Sequence, residues 1–210
     1  ALSSMCGLSS GLYELIIKML DFVVWLSETK WSIGLRESLY LYPWIESTHV
    51  LSICLFFGTL LFVDLRLTGR VFSSLSVSEM NRKVLPLTLF GFLVMFITGL
   101  LLFYAIPIRN YQNIFFRVKM LLMIIAGINA LFFHKRMSNE AKVWDKDSFI
   151  PGSMKSSAIT SLVLWSLVII AGRMIAYNWF DCDRQPQPRW INALTSCEVD
   201  YSLFEGIDGF

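Results

Sequence analysis

The segment LYPWIESTHVLSICLFFGTLLFVDLRLTG, residues 41–69, sets two groups capable of chemistry, Glu46 and His49, at the mouth of an otherwise apolar helix. Three residues apart, they project from one helical face. An ionisable side chain near the centre of a membrane helix costs about 2.5–3.5 kcal/mol by insertion measurements, so its presence calls for a partner or a function. The chain has only two histidines, His49 and His134. In an apolar helix bundle an imidazole is a good axial ligand for haem iron.

Four more side chains belong with this pair by depth. At 1.5 Å of rise per residue, His49 falls about 7 Å and Glu46 about 11 Å to one side of the membrane midplane. Lys119 lies about 9 Å and Arg173 about 7 Å to the same side, with Met120 and Met174 in the same layer. Two readings fit this stratum. In one, Glu46 pairs with Arg173 or Lys119 and His49 adds a hydrogen bond, all of it structural. In the other, the layer wraps a b-type haem, or a quinone, with His49 on the metal and the basic groups facing propionates. His134 lies about 20 Å from His49 along the membrane normal, so the two cannot ligate one iron. Either His49 works with a non-histidine sixth ligand such as Met or Lys, or the haem is five-coordinate, or there is no haem.

The elements that hold these residues follow from composition. With 55% hydrophobic and 15% aromatic residues and a mean hydropathy of +0.58, the 210-residue chain reads as an integral membrane protein. A net charge of +2 without a basic cluster gives no footprint for nucleic acid. Residues 43–64, 85–106, 115–134 and 158–179 each supply the roughly 20 apolar residues that a membrane-spanning helix needs. Ahead of them, LYELIIKMLDFVVWLSE places Glu14, Lys18 and Asp21 at three- and four-residue spacing, the pattern of an amphipathic helix lying in the interface. The expected fold is an all-α membrane protein. Residues 1–39 form an N-terminal segment with an interfacial helix, 40–180 a bundle of four transmembrane helices, and 181–210 an outer tail.

Charge placement orients the bundle. The loops after the first and third spans hold nine Lys and Arg: Arg66, Arg70, Arg82, Lys83, Lys135, Arg136, Lys142, Lys146 and Lys155. The positive-inside rule puts that side in the cytoplasm and both termini outside. In the tail, Cys182 and Cys197 share the polar segment DCDRQPQPRWINALTSCEVD. On the outer side they are expected to form a disulfide worth about 3 kcal/mol for a loop of this length. The alternative, a metal pair, has no further ligands spaced near it.

The remaining features read as packing. Gly91, Met95 and Gly99, with Gly127 and Ala130, form small-residue stripes that allow close helix approach. Cys54 reads as a small core residue, Asp64 beside Arg66 as a local ion pair, and His134 as an interfacial group. Tyr40, Tyr42, Trp44, Tyr104, Tyr111, Tyr177 and Trp179 fall at span ends as an aromatic belt. There is no phosphate-cradling loop, nucleophile motif or zinc spacing.

The stretches RESLYLYPWIESTHVLSICLFFGTLLFVDLRLTG, FFRVKMLLMIIAGINALFFHKR and SLVLWSLVIIAGRMIAYNW resemble a bacterial family of four-helix inner-membrane proteins of unknown function, over residues 15–180. More distantly, His49 followed by Gly58 and a basic residue after VDL is similar to CopD-type membrane domains and HemJ-type protoporphyrinogen oxidases. In the latter a first-helix histidine binds haem b and a lysine of a later helix takes part at the site, which carries over to His49 and Lys119. The implied function is electron transfer in the bacterial inner membrane, between a periplasmic redox partner and quinone or within a larger membrane complex. The alternative is a cofactor-free accessory subunit. In either case lipid surrounds the spans.

Overall fold

A computed structural model of the chain describes residues 10–69, 77–147, 151–177, 179–180, 182, 187–195 and 197. Cys6, the side chain of Glu14 with its expected pairing to Lys18, Arg70, the side chains of Lys142 and Lys146, and most of the acidic tail lie outside the described residues. The described elements are all helical: α1 (Ser10–Ser27), α2 (Lys30–Glu37), α3 (Leu41–Leu67), α4 (Val77–Ala105), α5 (Pro107–Gln112), α6 (Ile114–Asp147), α7 (Gly152–Met174), a 3-10 turn (Ile175–Tyr177) and α8 (Arg189–Thr195).

Four segments are long and apolar enough to cross a membrane: Leu41–Leu67, Arg82–Ala105, Ile114–Arg136 and Gly152–Tyr177. They coincide with the four spans expected from hydropathy, because an 18-residue apolar run in water-free surroundings can satisfy its backbone only as a helix. The chain forms two compact units.

The first unit comprises residues 1–43, 101–114 and 178–210. Here α1 packs against α5. Tyr104 ties the turn after α1 to this unit: its hydroxyl lies 2.7 Å from Thr29 Oγ1, and its carbonyl accepts the Ser32 hydroxyl at 2.8 Å. Thr29 also caps α2, accepting the Ser32 backbone N–H. The N-terminal segment therefore holds two helices where the sequence suggested one. The break at 28–29 is a turn that Thr29 stabilises from both sides. Cys182 and Cys197 form the expected disulfide, with Cα atoms 5.4 Å apart.

The second unit, residues 44–100 and 115–177, is the bundle. Phe56, Met95, Ala126, Trp165 and Val168 form its centre. Phe56 meets Trp165 edge-on at 4.7 Å and Phe92 at 5.5 Å. A second cluster of Val63, Leu67, Met80, Met154 and Ala158 closes the basic end. α3 and α4 run antiparallel and touch closely at Gly91, where an added Cβ would lie 3.0 Å from the Phe56 backbone nitrogen. Thr88 donates to Thr59 at 2.9 Å about one turn further on. Gly127, by contrast, has nothing within 4 Å, and Ala130 is exposed, so that half of the expected small-residue stripe is not a helix contact.

Two other local expectations are corrected. Cys54 is exposed, not in the core, because it sits on the face of α3 opposite the buried Ser52 and Phe56. Asp64 does not pair with Arg66, since residues two apart project about 200° from one another around a helix. Asp64 is 3% exposed and hydrogen-bonds Ser161 of α7, and its second oxygen, Oδ2, is buried without a hydrogen-bond partner among the described residues.

Candidate functional site

Following each helix from the aromatic centre towards the mouth of α3 leads to one polar layer. It contains the buried Ser52 and half-buried His49 on α3, Thr98 on α4, Lys119 on α6 and Gly172 on α7. All belong to the second unit. His49 is clasped by α4: its Nδ1 lies 2.9 Å from Thr98 Oγ1, and its ring edge faces Gly99, where a Cβ would be 3.2 Å from Cε1. Thr98 has a single hydroxyl proton, which it gives to the carbonyls one turn back, Val94 at 2.7 Å and Met95 at 3.1 Å. The hydroxyl therefore accepts from His49, which assigns the imidazole proton to Nδ1. The ring is also hydrogen-bonded to the Met95 backbone of the same helix, α4.

Lys119 completes the layer from the other side. Its Nζ would lie 3.5 Å from a Cβ at Gly172, so the glycine is what admits the ammonium between α6 and α7. Lys119 and the His49 ring interact electrostatically. Two glycines, Gly99 and Gly172, thus flank the two functional groups, each where a side chain would press on one of them. The sequence groups His49 with Lys119 by depth, and in the structure the two interact electrostatically.

The other residues of that stratum do not join them. Glu46 is exposed and has no ion pair among the described residues. Arg173 follows Gly172 by one residue, hence is turned about 100° away, and is exposed with its guanidinium over the Tyr177 ring at 5.2 Å from the centroid. Met120 is 42% exposed and Met174 half-buried. His134 is exposed. Thr98 was missed by the sequence reading. A Thr within an apolar run back-bonds to its own helix so commonly that nothing in the one-dimensional pattern marks it.

The donor set bears on what could be held here. Among the described residues no group of three or more His, Cys, Asp or Glu side chains converges as a metal-binding cluster. One imidazole oriented through Nδ1 by a second residue is the donor arrangement of a histidine ligand whose ring is fixed from behind. It suits a group that brings its own ring of ligands and asks the protein for one or two more.

Fold and site together define a class: four-span helical membrane proteins with a histidine clasped between two antiparallel helices in one half of the bundle. Residues 35–178 match a family of unknown function, DUF6644, and the chain belongs to that family. The match spans all four membrane helices and contains His49, Thr98, Lys119 and Gly172. No curated protein and no solved structure matches the chain.

Proposed function

We propose that this membrane protein binds a b-type haem through His49 and acts as an electron-transfer protein, or as the membrane subunit of a redox complex, in a bacterial inner membrane. The observation that carries the reading is the Thr98 clasp, which holds the His49 ring through Nδ1 within a bundle. Both termini would face the periplasm, where the disulfide is stable. A quinone in the bilayer would be the natural exchange partner on the membrane side.

Bound here, a b-type haem would supply a one-electron iron couple. His49 would hold it through Nε2, and Thr98 fixes the ring and its tautomer through the Nδ1 proton. Lys119 offers the positive charge that a propionate needs, or a sixth donor. Gly172 keeps that ammonium inside the bundle, and the Phe56, Trp165 and Phe92 cluster closes the layer from below. Arg173, held over Tyr177, is the weaker candidate for the same task.

An optical spectrum tests the reading. Protein isolated gently from haem-sufficient cells should show the Soret band of a b-type haem, lost in His49→Ala and kept in His134→Ala. Absence of the band in the unmutated protein would refute it. The accessory-subunit reading would then take its place, supported by the exposed Trp31 and Trp190 of the disulfide-bearing unit, at 83% and 58% exposure, as a surface for a partner.

A further inference from the structure

A cavity of about 530 Å³ opens between α6 and α7 at the basic end of the bundle. Met154, only 2% exposed, walls it on the inside. Its floor is a two-way clasp between the helices: the Ser157 hydroxyl donates to Asn129 Oδ1 at 2.9 Å, and Asn129 Nδ2 donates to the Ser157 carbonyl at 3.1 Å. Lys135 and Arg136 line it from α6 and Ser153 from α7, and among the described residues no acidic side chain lines it. A guanidinium carries five N–H donors and an ammonium three, so contacts made elsewhere still leave donors for a ligand here.

The size and the surroundings select among anions. The volume falls within the roughly 300–1,000 Å³ of small-molecule sites and exceeds what a bare phosphate needs. Ile128, Leu131 and Phe132, spaced three and four residues apart on α6, are 50%, 72% and 71% exposed and form an apolar stripe leading to it. Phe132 belongs to both stripe and cavity. A soluble anion would use the cations and leave the stripe unused, whereas an amphiphile uses both.

We propose that this cavity binds an anionic phospholipid, with the headgroup phosphate taken by Lys135 and Arg136 and the acyl chains lying along Ile128, Leu131 and Phe132. Basic pockets between membrane helices on the positively charged side recognise headgroups in this way. The site is independent of whether His49 holds a haem.

The test is a binding titration of the full-length protein in uncharged detergent micelles, using short-chain phosphatidylglycerol, phosphatidylcholine or inorganic phosphate. Two basic groups contributing about 1 kcal/mol each predict phosphatidylglycerol to bind about 30-fold more tightly than phosphatidylcholine. Lys135→Gln with Arg136→Gln should remove that preference. Arg82→Gln, at the same end of the bundle but outside the cavity, should keep it. If the double variant does not fold, Ser153→Glu, which leaves both cations in place, must also abolish the preference. Equal affinity for the two lipids, a preference that survives the double variant, an equal loss in Arg82→Gln, or inorganic phosphate competing as strongly as phosphatidylglycerol would each overturn the proposal.

Discussion

Gly91→Ala is the substitution whose effect can be worked most directly from the contacts of the bundle. The new methyl carbon would lie 3.0 Å from the Phe56 backbone nitrogen, 3.2 Å from Phe56 Cα and 3.3 Å from Leu55 Cγ. Ordinary carbon contacts sit at about 3.5–4.0 Å, so two of these three are short by several tenths of an ångström. Both involve backbone, which cannot rotate aside, and α3 and α4 must separate locally. Overpacking of this kind costs about 1–3 kcal/mol. Replacing Gly by Ala in a helix returns about 0.8–1.0 kcal/mol. Gly127→Ala, with nothing within 4 Å, receives only the return and none of the cost. The two variants should therefore differ by about 1–3 kcal/mol in stability, with Gly91→Ala the weaker. Unfolding in mixed micelles with rising SDS fraction measures the difference. Equal stability of the two variants would refute the close α3–α4 contact and, with it, the helix pairing that positions Thr98 against His49.

Three further outcomes follow from the same geometry. Thr98→Val removes the acceptor of the His49 Nδ1 proton while keeping the side-chain shape, and loss of such an orienting partner typically weakens metal-site affinity about 10–100-fold. Haem retention during dilution would report it, with wild-type retention counting against the clasp. Asp64→Val removes the unpartnered Oδ2, a burial that costs roughly 1–3 kcal/mol, while Ser161 can turn to its own helix carbonyls. The variant should unfold at or above the wild-type temperature, and a clear fall would mean that Oδ2 has a partner. An impermeant thiol reagent should label a cysteine introduced beyond residue 180 but not one near Lys142 in intact cells, and reduction should shift gel mobility through the Cys182–Cys197 bond. The opposite labelling pattern would reverse the orientation.

The four spans were legible because each is a run of apolar residues long enough to cross a bilayer, a property that needs no knowledge of neighbours. The disulfide was legible because its two cysteines share one polar segment. The grouping of His49 with Lys119 followed from counting residues along helices, since rise per residue is nearly constant.

What the sequence could not supply was the rotation of each span about its axis. In a soluble helix the polar face marks the outside, but here lipid and bundle interior are both apolar, so hydropathy does not distinguish them. That is why Cys54 was assigned inward and is exposed, why Arg173 and Glu46 were paired and stand apart, and why Asp64 was given to Arg66 when it is buried against Ser161. Only the packed helices decide that Gly99 and Thr98 of α4 meet His49, that Gly172 makes way for Lys119, and that a basic cavity opens between α6 and α7. The chain by itself determines what crosses the membrane and at what depth each ionisable group lies. Side-chain volumes at the helix crossings decide which of those groups face one another.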